Sequence, residues 1–301
     1  MIKQICVIGL CDIGDVRFCR LENDDSLVAM KTYHKCLVAK DEDAAKLCDQ
    51  LTHVRDLTNP FILHTRDIFQ DEKNVYVLTD FCSGGNLFTM LQTFGHLNES
   101  HVKFIVPQLV TALSYLHENR CIHGNLICEN VLLDEQGNTV LTGFSNSIFN
   151  YPTPCYETIG FTECLAPETL LNKGIDKMYD FWMLGCLVYE LIEGHPPFQG
   201  DTVSETLQAI LIGKIEYKYA SPDAQQFIGA LLTAEPTQRL GKDIRSIRNH
   251  PFMKGVDWVN ISNKSIPSPL MRISKPEDPT CYCFHFKEDI IDEREGLVEY
   301  H

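Results

Sequence analysis

The first residues whose types and spacing could do chemistry are a pair of glycines followed by a lysine. Ile8-Gly9-Leu10-Cys11-Asp12-Ile13-Gly14-Asp15-Val16 precedes, after a turn, Val28-Ala29-Met30-Lys31. Glycine lets a backbone approach a phosphate closely, and a lysine can hold the phosphate charge. Glycines in an ordinary hairpin turn would look the same, so both readings stay open for this segment alone. The thirteen cysteines are a second chemical possibility. They are scattered, no CxxC pair occurs, and Cys281-x-Cys283 lacks partners at zinc-finger spacing. That pattern points to thiols in a reducing cytosol rather than to a structural metal.

The elements that must position the glycines and lysine are short strands. Segments 5–8, 16–21 and 27–31 are strand-like, separated by glycine or Asn23-Asp24-Asp25 turns. Ala44, Leu47, Cys48, Leu51 and Val54 fall on one face of a helix over 44–55. Segments 61–69 and 74–79 read as an antiparallel pair joined by Gln70-Asp71-Glu72-Lys73. Beyond Ser83-Gly84-Gly85 the character turns helical. Val102, Ile105, Val106, Leu109, Val110, Leu113 and Leu116 make a long apolar stripe that Pro107 should kink or restart. Segment 180–193 is apolar on nearly all sides, which predicts a buried helix too short in its apolar core to cross a bilayer. The expectation is an α+β, bilobal chain: a β-rich small lobe over 1–80, a hinge at 81–85 and a mainly helical large lobe over 86–255. A cleft between the lobes is the natural ligand site.

Composition narrows the partners. The 301 residues carry 26 basic and 41 acidic side chains, a net charge of -15, and 44% are apolar. Nucleic acid would be repelled. Eight acids against two bases lie in 276–301, which suggests a tail rather than core. No signal peptide and no membrane span are expected, so a cytoplasmic location, or also a nuclear one, is the expectation.

Three further motifs bring a family into view. His123-Gly124-Asn125-Leu126-Ile127-Cys128-Glu129-Asn130 follows Tyr115-Leu116-His117, and Leu141-Thr142-Gly143-Phe144-Ser145 comes next. Ala166-Pro167-Glu168, Asp180 and Trp182, Gly194-His195-Pro196-Pro197-Phe198, the run from Leu231 to Gly241 and Asn249-His250-Pro251-Phe252 complete the order. Together these resemble the eukaryotic protein kinases, specifically the AGC group around the cyclic-AMP-dependent enzyme, over nearly the whole chain. The resemblance implies that Gly9, Gly14, Val16, Ala29, Lys31 and Leu132 line a nucleotide pocket, with Cys11 in place of the middle glycine. It places Gln50 where a helix glutamate normally pairs with the strand lysine, Asp49 being able to substitute only if the helix rotated.

The same resemblance implies that the chemistry is gone. Asn125 stands at the base position, and an amide has no useful proton affinity near neutral pH. Ile127 replaces the lysine that steadies the transferring phosphoryl group, Gly124 the arginine that docks the activation loop, and Gly143 the main magnesium carboxylate. Asn130 is the one surviving metal-ligand position. The chain therefore reads as a pseudokinase, with no cofactor expected beyond weak, metal-independent ATP binding. The alternative is an active serine/threonine kinase that uses non-standard residues.

Other expectations come from the family. Glu168 should pair with Arg239, and Val54, Phe144 and His123 should stack above Asp180, with Thr65 a poor member of that stack. The loop from Gly143 to Glu168 is one residue longer than usual. Glu157 falls on the position of the activating phosphothreonine, with Thr158 as another modification candidate, and Phe161-Thr162 should obstruct a hydroxyl acceptor. Glu129 and Glu190, with Asn86 replacing a third acid, leave a half-preserved acidic groove. The partner expected is thus a kinase, a regulatory subunit or a basic peptide. Finally, Asp257-Trp258-Val259, Pro267-Ser268-Pro269 and Asp278-Pro279-Thr280-Cys281-Tyr282 come in the order the resemblance implies for an AGC-type C-terminal extension over 256–301. There Leu297-Val298-Glu299-Tyr300 has the spacing of a segment that plugs a groove beside the 44–55 helix; a free acidic end is the alternative.

Overall fold

A computed structural model describes residues 2–11, 14–38, 41–152, 154–156 and 162–270. Strands β1 (Ile2–Cys11), β2 (Gly14–Leu21) and β3 (Leu27–His34) precede helix α1 (Asp41–Arg55), and β4 (Thr65–Gln70) and β5 (Asn74–Asp80) come after it. They form one antiparallel sheet in the order β1-β2-β3-β5-β4. Alternation along β3 decides what each face does. Val28 and Met30 pack with Cys19 and Leu78 on one face. Tyr33 packs with Val77 and with Leu51 of α1 on the other. Lys31 lies two residues before Tyr33 on β3, so the face toward α1 also carries the lysine.

The segment expected to pair as 61–69 is a strand only from Thr65. Phe61 and Ile62 are instead buried in the large hydrophobic core, where the Phe61 carbonyl accepts from Leu141 N and Leu63 N donates to the Leu141 carbonyl of strand β8 (Thr139–Leu141). This stitches the sheet region to the helical region.

Helices α2 (Leu87–Phe94) and α3 (Glu99–Glu118) lead to short strands β6 (Cys121–Ile122), β7 (Val131–Leu133), β8 and β9 (Ile148–Phe149). Pro107 neither ends α3 nor moves its start. The helix runs through it, and Thr111 Oγ1 donates to the Pro107 carbonyl at 2.7 Å. Helices α4 (Pro167–Leu170), α5 (Met178–Glu193), α6 (Val203–Ile212), α7 (Pro222–Leu231), α8 (Ile244–Arg248) and α9 (Trp258–Ser262) complete the described chain. Every residue of α5 except Glu190 is buried, as its all-round apolarity predicts. No helix among the described residues is long and apolar enough to cross a membrane. Nine cysteines among those residues are free, but Cys6 is disulfide-bonded, which corrects the expectation of thiols throughout.

Candidate functional site

The loop between β6 and β7 hangs on one buried carboxylate. Asp180 of α5 accepts from the His123 backbone N at 2.9 Å, the Gly124 backbone N at 2.8 Å and His117 Nε2 at 2.8 Å. Burial alone would push this carboxyl upward, but the hydrogen bond and charge of His117 overcome it and hold the group below its ordinary range. His123 is itself fully buried. Its Nε2 donates to the Thr142 carbonyl at 2.9 Å while its Nδ1 accepts from the Asn125 N at 3.3 Å. Burial lowers its pKa, so the ring is neutral. Its edge meets Phe144 at 4.9 Å between centroids, in the stack expected with Val54 and Thr65, all of them buried.

Two amides occupy the centre of this loop. Asn125 is 5% exposed, and its Nδ2 donates to the Gly143 carbonyl at 3.4 Å. Its Oδ1 is buried without a hydrogen-bond partner. Asn130 turns inward: Nδ2 donates to the Asn125 carbonyl at 3.0 Å. Gly143 sits in the left-handed region at φ 87°. A Cβ built there would lie 2.3 Å from Asn130 Cγ and 2.4 Å from Nδ2. The place of a Cβ at 143 is therefore taken by the side chain that the resemblance makes a metal ligand. Ile127 packs, partly buried, against the large core. Magnesium requires several oxygen ligands, normally including carboxylates. Asn125, Asn130 and Gly143 do not supply that set, and among the described residues no cluster of His, Cys, Asp and Glu could hold a metal ion.

Of the positions expected to line a nucleotide pocket, Val16, Ala29 and Lys31 share one face of the five-stranded sheet, while Leu132 lies on β7. Val16, Ala29 and Leu132 are half-buried. Lys31 Nζ lies 4.8 Å from the centroid of the Tyr33 ring. Gly14 has a structural reason of its own, since a Cβ there would stand 1.7 Å from the Thr32 carbonyl oxygen on β3. Gly9 has no such reason: a Cβ there would meet only Val16 at 3.7 Å. Residues 12–13 lie outside the described residues.

Gln50 departs from its expected use. It is 7% exposed, and its Nε2 donates to the Ser147 carbonyl at 2.9 Å. Asp49 faces solvent, 3.5 Å from His53 Nδ1, rather than turning toward the lysine. Ser147 carried no signal in the sequence, because the bond joins residues 97 positions apart.

The expected Glu168–Arg239 pair is present, with bidentate bonds of 2.7 and 2.8 Å between two buried side chains. The residues expected to form an acidic groove stand in different settings. Glu129 is exposed, whereas Glu190 accepts from Cys128 Sγ at 3.4 Å, and burial pushes its carboxyl upward. Asn86 caps α2, accepting from the Thr89 N at 2.8 Å. An asparagine just before an apolar helical run is a start signal that explains its type without a ligand. Glu157, Thr158, Phe161 and the whole 271–301 segment, with its Leu297–Tyr300 spacing, lie outside the described residues.

Comparison with known proteins gives the family. The protein kinase domain family matches residues 2–253. The serine/threonine-protein kinase SCH9 of Candida albicans is 34% identical over 274 residues, 88% of this chain and 35% of that protein. The cAMP-dependent protein kinase catalytic subunit of Dictyostelium discoideum is 31% identical over 298 residues, 97% of this chain and 46% of its own length. The human cGMP-dependent protein kinase 2 is 33% identical over 279 residues, 90% of this chain and 36% of its own. This chain thus spans less than half the length of each of these AGC-type relatives. Its two-part architecture and the match across 2–253 place it within one family: the chain belongs to the protein kinase domain family.

Proposed function

We propose that this chain is a pseudokinase: a serine/threonine kinase fold without phosphoryl transfer that works in signalling by binding another protein. The observation that carries the reading is the Asn130 side chain standing where a Cβ at position 143 would be. Phosphoryl transfer needs a positioned base and cations that neutralise developing charge. Here Asn125 offers an amide, Ile127 an alkyl chain, and Gly143 nothing. Each loss alone could be bypassed; together they leave the cleft with Lys31 as the one phosphate-facing charge that the family pattern supplies.

ATP, if it enters, does so without help from magnesium. Val16, Ala29 and Leu132 would contact the base, and Lys31 the phosphates. Partners proposed on this reading are a kinase, a regulatory subunit or a basic peptide, the last attracted by exposed Glu129 and by the net charge of -15. Calorimetric titration with ATP, with and without Mg²⁺, tests the metal-site reading. Weak or absent binding that is indifferent to Mg²⁺ is expected. Mg²⁺-dependent tightening to low micromolar affinity would contradict it.

A further inference from the structure

Helix α1 and the segment after Gly143 are separated by about ninety residues of chain, yet they meet through side chains whose types suit one arrangement. Gln50 Nε2 donates to the Ser147 carbonyl at 2.9 Å, and the glutamine is buried. Ser147 is held in turn: its Oγ donates to the His123 carbonyl at 2.9 Å and its N donates to the Phe144 carbonyl at 3.1 Å. One helical turn on from Gln50, the His53 ring stacks on Phe149 at 4.8 Å. His53 Nδ1 donates to the Asp49 carbonyl at 2.8 Å, leaving Nε2 to accept from Asn150 Nδ2 at 3.1 Å. Gln50 and His53 therefore point the same way along α1, and both land on residues 147–150.

We propose that Gln50 is a positioning residue, a latch that fastens α1 to the 144–150 segment without nucleotide. A glutamate, the residue type the family pattern puts here, has no proton to give at neutral pH and would set a carboxylate against the Ser147 carbonyl. A glutamine supplies the missing donor. Loss of the ion-pairing charge at position 50 and gain of a donor toward Ser147 are one substitution. The latch holds the helix and the loop start in a single geometry. It goes beyond the pseudokinase reading, because a held helix is compatible with either an active or an inactive cleft.

Hydrogen exchange on the intact chain tests it. In the nucleotide-free protein, amides of 47–55 and of 146–150 should be protected, and added ATP should change neither segment more than twofold. Gln50→Met keeps the shape without the donor, and Gln50→Glu keeps the shape with an acceptor. Each should speed exchange in both segments together by roughly tenfold, the effect of losing one buried hydrogen bond. Acceleration below fivefold, or confined to α1, overturns the latch, as does wild-type protection that appears only with ATP. The ATP arm decides the matter even if a variant does not fold. Radiolabelled phosphoryl transfer reads the cleft separately, so the two proposals can fail independently.

Discussion

Replacing Gly143 with aspartate restores the family residue on paper, and the structure says it will harm the protein instead. The new Cβ would lie 2.3 Å from Asn130 Cγ and 2.6 Å from Oδ1, so Asn130 must leave. Leaving breaks its 3.0 Å bond to the Asn125 carbonyl, about 1 kcal/mol. Holding a non-glycine residue at φ 87° adds about 1–3 kcal/mol. The sum, about 2–4 kcal/mol, should lower the melting temperature by roughly 5–10 °C. Asn130→Ala alone should cost about 1 kcal/mol, the same hydrogen bond. In the double variant that cost is counted once, so the two substitutions should fall short of additivity by about 1 kcal/mol, measured by urea unfolding of all four proteins. A stable Gly143→Asp protein, or costs that add within about 0.3 kcal/mol, would refute the claim that Asn130 occupies the place of a Cβ at 143.

Two further outcomes are expected. Arg239→Ala leaves Glu168 buried and unpaired and removes donors to the Thr233, Met178 and Ala234 carbonyls, so unfolding free energy should fall by about 3–5 kcal/mol; a loss under about 1 kcal/mol in chemical denaturation would contradict the burial argument. Burial depresses the His123, His101 and His250 pKa values, so the unfolded chain binds the extra protons first as pH falls. Their contribution is complete above the unfolded value of about 6.5 and is lost as pH drops through the folded values. Melting temperature should thus decline from pH 7 to pH 5, and His123→Phe should flatten that slope; an unchanged slope would show that His123 is not the dominant group. Asp180, held low by His117, acts further down, losing its contribution as pH falls below the ordinary carboxylate range.

Periodicity made the scaffold legible, but side-chain partners across the fold were another matter. The buried helix α5 and the strands around Lys31 emerged from apolar spacing, because burial writes itself into residue type. Boundaries moved where that signal stops: β3 continues to His34 because Tyr33 still pairs with Val75, and α1 begins at Asp41, among acids that carry no apolar period but suit a helix start. The segment before Thr65 looked like strand since Phe61 and Ile62 are apolar, yet their burial is in the large core rather than across a sheet face. At the site, residue types showed which groups are missing. They could not show that Asn130 stands in the place of a Cβ at 143 or that Gln50 turns to Ser147, since both depend on contacts made only after folding. Asn86 could have been recognised as a helix cap from its neighbours alone.

The central claim is that this cleft does not transfer phosphate. Incubation with radiolabelled ATP and Mg²⁺, using generic basic peptides and the chain itself as acceptors, measures that directly, with Lys31→Ala as the control. The account predicts no incorporation above background in either protein. Robust incorporation that disappears in Lys31→Ala would contradict it and show that the cleft works with residues other than those the family uses.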